Sequence, residues 1–175
     1  MVWDLSQVRS GAIIGEECVI GRNVFVDAGV SIGDRCKVQN NALLYAPASI
    51  GDGVFVGPAA VLTNDRYPRA IGVDGALKSS DDWDPEGVVV EYGASIGAAA
   101  VVLGGVTVGR CALVAANSMV TKDVPDYALV AGSPAQRIAW VGRAGRPLEQ
   151  VDASRWRCAV TDTTFVEDDD RLREQ

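Results

Sequence analysis

Every sixth residue from Val8 onward is aliphatic: Val8, Ile14, Ile20, Val26, Ile32, Val38, Leu44, Ile50, Val56 and Leu62. The same period resumes at Val90 and continues through Ile96, Val102, Val108, Val114 and Val120, making sixteen hexads without exception. Four residues further along each hexad the side chain is small: Ala12, Cys18, Val24, Val30, Cys36, Ala42, Ala48, Val54 and Ala60, then Ala94, Ala100, Val106, Ala112, Ser118 and Val124. Arg66 alone breaks this second rule, and it stands where the regular repeat stops. A short fixed period held over many units predicts a solenoid, in which each unit buries its apolar side by stacking on the next. Each hexad reads as a short strand followed by a corner. The large aliphatic and the small residue point inward, and a Leu at the small position would overpack the interior. Three hexads close one triangular coil, so residues 18 apart stack and the aliphatics form columns. Each buried aliphatic contributes roughly 1.5–3 kcal/mol. Glycine follows the aliphatic in seven hexads, where it permits unusual backbone angles or close backbone approach.

The interruptions divide the chain. Residues 8–65 give about three coils, and residues 90–125 give two more. Between them, 66–89 carries two prolines, three glycines and five acidic residues. A structureless stretch this long inside a compact domain is usually functional. Trp3, in the lead-in 1–7, is expected to cover the open first coil. Asp123-Val124-Pro125 ends the ladder, because proline cannot donate within a strand. The expected organisation is a β-helix domain over 1–135 and a C-terminal helix and tail over 136–175. Ile138 and Val141 would share one face of the short helix Arg137–Gly142. The acidic run Glu167–Asp170 is expected to be a solvated face.

Composition narrows the function. A formal charge of −7 argues against nucleic acid as a partner. No apolar run approaches the ~20 residues of a membrane span, and the first ten residues lack a secretory pattern. The four cysteines show no CxxC spacing. Cys18 and Cys36 fall in one inward column and read as small core residues in a reducing cytoplasm. The chain contains no histidine.

Two polar clusters stand out against the ladder. One is Gln39-Asn40-Asn41 with Tyr45. The other is Asn64-Asp65-Arg66-Tyr67-Pro68-Arg69, at the root of the interruption. Position 63 lies one coil beyond Tyr45 and position 59 one coil beyond Asn41, which sets both clusters near one edge. Asparagine can orient a sugar amide or hydroxyl, and Arg66 and Arg69 can bind phosphate or carboxylate.

The hexad pattern resembles that of the hexapeptide-repeat acyltransferases. That resemblance implies an all-β, left-handed parallel β-helix and a homotrimer with sites between subunits. Many such enzymes activate a hydroxyl acceptor with a histidine base, and the γ-type carbonic anhydrases of the same fold bind zinc through histidines. Neither arrangement is available here, so no metal is expected. A neutral amine already carries its nucleophilic lone pair, so the lack of histidine favours an amine acceptor, although Asp or Glu can also serve as base.

The stretches VQNNALLYAPASIGDGVFVGPAAVLTNDRYPRA, GGVTVG and MVTKDVPDYALVAGSPAQRIAWVGRAG are similar to those of nucleotide-sugar 3-amino N-acetyltransferases. The resemblance covers about 8–145. It implies acetyl-CoA-dependent acetylation of the 3-amino group of a UDP- or dTDP-linked amino sugar, in O-antigen and related polysaccharide synthesis. Asn64 would contact the sugar near the reacting amine, and Asp65, or the CoA sulfur, would accept its proton. Asn40, Asn41, Tyr45, Arg66 and Arg69 would hold the sugar nucleotide. Gly104, Gly105, Ala115 and Ala116 would leave room for pantetheine, and Lys122 and Arg137 would meet the CoA phosphates. The alternatives are an O-acyltransferase of the same fold and a non-enzymatic β-helix scaffold.

Overall fold

The computed structural model describes residues 1–175. Sixteen two-residue strands run from Gln7–Val8 to Met119–Val120, one for each hexad. The periodic aliphatic is the second residue of every strand. Strands pair in parallel at a spacing of 18 residues, as in Val8↔Val26 and Ile32↔Ile50. Three parallel sheets result, and together they form the triangular β-solenoid expected of the left-handed β-helix. The interior is the two predicted columns. From Ile20 onward the aliphatics are at most 3 % exposed, and the small residues from Cys18 onward at most 5 %. Ser118 is the one buried polar residue, and its hydroxyl accepts the Gly132 amide at 3.2 Å.

The corners explain the glycines. Those after the aliphatics serve close approach rather than unusual angles: a methyl on Gly57 would lie 2.6 Å from the Ala98 nitrogen. Positive φ falls instead at the second corner residue, on Glu17, Asn23, Arg35, Asn41, Ala59, Ala99, Cys111 and Asn117. Each costs roughly 1–2 kcal/mol. Side chains one coil on help satisfy the turn amides: the Asp34, Asn40 and Asp52 Oδ1 atoms accept from the amides of Glu16, Arg22 and Asp34.

The interruption is a true insertion. Pairing across it jumps to a spacing of 40 residues, as in Val61↔Val101 and Ser49↔Val89. Val88, fully buried, fills the inward slot that Arg66 leaves by turning outward. The inserted arm has its own hairpin, bridged at Ile71 and Leu77, and a 3₁₀ turn at Ser80–Asp82 capped by Ser79.

The C-terminal region departs from expectation. Ala135–Trp140 is a strand, not a helix, and pairs antiparallel with Ala128–Gly132. The latter extends one solenoid sheet by parallel pairing with Leu113–Val114. Its far edge carries unpaired amides and carbonyls, and the turn at Ser133–Pro134 returns the chain directly beside it. Tertiary pairing therefore overrides the weak local preference for helix. The tail is a four-stranded antiparallel sheet: Glu149–Gln150, Arg155–Arg157, Thr164–Asp168 and Arg171–Glu174. It buries Leu148, Cys158, Phe165 and Leu172. Phe165 meets Tyr127 edge-on at 5.2 Å, which joins this sheet to the last corner of the solenoid. Glu167 is a structural partner rather than a free charge, since it accepts the Trp156 indole N–H at 2.9 Å and pairs with Arg137. At the other end the first coil stays open: Met1, Val2, Trp3, Leu5 and Ile13 are all more than half exposed. Trp3 is therefore not a cap. No helix is long and apolar enough to cross a membrane.

Candidate functional site

Each coil has three corners, and each corner stacks into an edge along the solenoid. The predicted residues sort onto two of these edges. Asn40 and Asn41 lie on the first, above Arg22 and Asn23 and in register with Ala59, Ala99 and Ala116. Their side chains are partly engaged: Asn40 Oδ1 accepts the Arg22 amide at 2.9 Å and Asn41 Oδ1 accepts Asn23 Nδ2 at 2.9 Å. With Leu5 they line an open groove of about 420 Å³.

The second edge carries Ala46, Asn64, Gly104, Gly105 and Lys122. Asn64 Nδ2 donates to the Ala46 carbonyl at 2.6 Å, fixing the side chain and leaving Oδ1 free to accept. Thr63 Oγ1 donates to the Val102 carbonyl and accepts the Gly104 amide at 3.1 Å, tying the root of the arm to the next coil. Tyr45 is half-buried on the sheet between the two edges, its ring 5.5 Å from Phe25. Within one chain, the Asn40–Asn41 and Asn64 clusters are thus a full face of the coil apart.

The remaining predicted residues are dispersed. Asp65 Oδ1 accepts the Tyr67 amide at 2.9 Å, and the residue faces the arm's own cavity of about 300 Å³, with Arg69, Lys78 and Trp83. Arg66 lies 3.8 Å from Glu86. Arg137 is committed to the C-terminal sheet: it pairs with Asp170 at 2.7 Å and stacks 4.1 Å above the Trp140 ring.

Gly104 and Gly105 have a structural reason to be glycine. The returning limb of the arm lies directly over them. A methyl on Gly104 would lie 2.6 Å from the Glu86 carbonyl oxygen and 3.2 Å from the Asn64 carbonyl carbon. Gly105 has φ +77°, and the Glu86 carboxylate occupies the space a side chain would take. Sequence reasoning did not single out Glu86. The signal was there: it precedes Gly104 by 18 residues, one coil, and so belongs to the same edge.

Another groove, about 470 Å³, lies elsewhere, between the last corners and the strand Arg171–Glu174. Its Arg110 is matched by Asp126 at 2.8 Å, and it contains none of the predicted residues.

Comparison with known proteins agrees with the repeat. The model described as hexapeptide repeat of succinyl-transferase matches residues 11–46 and 87–122. The bacterial transferase hexapeptide model matches 29–64, so the two together cover just over half of the chain. The chain is 40 % identical over 96 residues to a serine acetyltransferase of Haemophilus influenzae, covering 54 % of this chain and 34 % of that protein. It is 44 % identical over 64 residues to the dTDP-3-amino-3,6-dideoxy-α-D-galactopyranose 3-N-acetyltransferase of Aneurinibacillus thermoaerophilus, covering 37 % and 33 % of the two chains. The chain thus spans about a third of the length of these curated relatives. Among solved structures, a hexapeptide-repeat acetyltransferase of Vibrio cholerae, complexed with acetyl coenzyme A, superimposes with a TM-score of 0.61 at 28 % identity, covering 75 % and 72 %. The acetyltransferase domain of PglB from Neisseria gonorrhoeae shares the fold, with a TM-score of 0.62 at 23 % identity over 76 % of this chain and 54 % of that one. With its sixteen stacked hexads and these two matching repeat models, the chain belongs to the hexapeptide-repeat transferase family.

Proposed function

We propose that this chain is an acetyl-CoA-dependent N-acetyltransferase acting on the 3-amino group of a nucleotide-linked amino sugar, with sites formed between the subunits of a homotrimer. The observation that carries the reading is the face between the two polar edges. Its outward residues are Phe25, Leu43, Val61, Val101 and Met119, apolar on five successive coils. A neighbouring face is mixed, presenting Ile13, Ser31, Ser49, Val89 and Thr107. A continuous apolar stripe rimmed by polar residues marks a binding surface. Packing three copies around this stripe sets the first edge of one copy against the second edge of the next. Asn40, Asn41, Ala115 and Ala116 of one chain then face Asn64, Gly104 and Lys122 of its neighbour. The two clusters that one chain holds apart would in this way form one cleft, and Tyr45 would lie on the shared surface beside it.

The chemistry follows from what the cleft offers. Asn64 Oδ1 is an acceptor held in place, suited to the N–H of an amine. Lys122 is exposed and suits the phosphates of CoA. Without histidine, activation of a hydroxyl has no imidazole base, whereas an amine needs only to be neutral when it attacks. The Vibrio cholerae and Aneurinibacillus relatives support the donor and the acceptor respectively. A second reading, O-acetylation of serine, is favoured by the Haemophilus match. Release of CoA thiol from acetyl-CoA should be followed with UDP- and dTDP-amino sugars and with L-serine. Turnover with an amino sugar, lowered at least tenfold by Asn64→Ala at an unchanged melting temperature, is expected. Turnover with L-serine alone would replace the proposal with the second reading.

A further inference from the structure

The corner slot between Ala46 and Gly104 is filled twice, once by the outgoing limb of the arm at Asn64 and once by the returning limb at Glu86. The two are hydrogen-bonded, the Glu86 amide donating to the Asn64 carbonyl at 2.9 Å. The Gly105 amide donates to the Gly87 carbonyl at 3.2 Å, which seats the returning limb on the next coil. Gly87 itself packs against Pro47, where a methyl would lie 2.5 Å from the Pro47 carbonyl oxygen. The limb is thus clamped from both sides, and the Glu86 carboxylate lies across Gly105. Arg66, at 3.8 Å, is the one charged group within ion-pair distance of the carboxylate. The neighbouring Thr63, Asn64 and Gly104 are uncharged. The Glu86 side chain remains 46 % exposed, so the carboxylate can reach a ligand in the cleft.

We infer that Glu86 is the base that deprotonates the acceptor amine, a conclusion that rests on the N-acetyltransferase reading above. The two candidates for this role differ in what they face. Asp65 is turned into an Asx turn and looks into the arm's own cavity. Glu86 shares the corner with Asn64 and lies over the glycines of the same edge. An amino sugar enters at neutral pH largely as its ammonium. The Glu86 carboxylate takes one proton from it and frees the nitrogen lone pair. The nitrogen attacks the thioester carbonyl carbon. The C–N bond forms, the C–S bond breaks, and the remaining surplus N–H proton passes to the departing sulfur. The products are the acetamido sugar and the CoA thiol, and Glu86 returns its proton to solvent. Arg66, 3.8 Å away, orients the carboxylate.

The test is Glu86→Gln, which keeps the shape of the side chain and removes the base, read in the thiol-release assay across pH. Wild-type turnover of an amino sugar is the entry condition: its absence sinks the parent reading and the role of Glu86 with it, whereas the outcomes below bear on Glu86 alone. Given turnover, Glu86→Gln should lower kcat at pH 7 at least tenfold while leaving KM for acetyl-CoA within twofold. Its residual rate should climb close to tenfold per pH unit up to the amine's own pKa, because only acceptor already neutral can then react. Glu86→Asp should recover part of the loss. A Glu86→Gln rate near wild type, or a reduced rate with a pH profile parallel to wild type, would overturn the assignment and leave Glu86 as a strut for the arm.

Discussion

Leu62→Ala tests the relation between ladder and site most directly. Leu62 is the last aliphatic before the arm leaves, is fully buried, and stacks between Leu44 and Val102 in one column. Truncation removes three buried carbons, and the neighbours cannot close in, because their backbones are fixed by pairing at 18 residues below and 40 above. A buried Leu→Ala change of this kind costs about 2–5 kcal/mol. In a chain of this size each kcal/mol lowers Tm by roughly 2–4 °C, so a fall of roughly 4–20 °C is expected. Circular dichroism melts at a fixed protomer concentration measure it. The strand also holds Thr63 and Asn64 in place, so transferase activity should fall further than the unfolded fraction at the assay temperature explains. A Tm within about 1 °C of wild type would show that the column does not carry the load assigned to it, and with it would go the idea that the arm's root is a rigid extension of the core.

Other consequences are accessible to simple measurements. Val61, one residue away on the outward stripe, should behave oppositely: Val61→Glu should shift the protein from trimer to monomer by light scattering while a parallel-sheet circular dichroism spectrum persists, and a trimer of unchanged mass would refute the packing face. Asp27 is held below the usual carboxylate range: burial opposes its charge, but the Ala28 amide at 2.8 Å, Arg9 at 2.7 Å and the Ala46 amide outweigh it. A depressed carboxylate stabilises the fold above its unfolded pKa of about 3.9, and the contribution disappears as pH falls through the lower folded value. The Tm gap between wild type and Asp27→Asn should therefore be full at pH 7 and close below about pH 4; a gap that persists at pH 2 would contradict it. Burial pushes the Cys36 thiol up to about 11, with the neighbouring Cys18 adding to the shift. Iodoacetamide at pH 8 should leave Cys36 unmodified by mass spectrometry until the protein is unfolded, and labelling in the native state would refute the closed column.

The sequence by itself determined the solenoid. A side chain in a two-residue strand points either in or out, and only an inward position demands an aliphatic at every repeat. The period therefore wrote the columns, the coil length and the point of interruption at Arg66 in advance. It also singled out Asn64 as a polar residue beside the broken ladder, where the folded chain ties its side chain to the Ala46 carbonyl at 2.6 Å. The C-terminal strands were less legible. Arg137–Gly142 carries no period, and its state was decided by the unpaired edge of Ala128–Gly132 lying beside it. Arg137 in turn pairs with Asp170 and stacks on Trp140, and Asp170 belongs to a sheet that only folding creates. The site shows the same division. Local spacing placed Asn40–Asn41 and Asn64 on successive coils, but which corner each occupies depends on how the coil closes. The seating of Glu86 over Gly105 depends on the arm returning to the corner it left, and nothing in residues 66–85 encodes that return locally. The ladder encodes it: Val88 must refill the vacated inward slot for the column to continue, and that requirement draws Glu86 back beside Asn64.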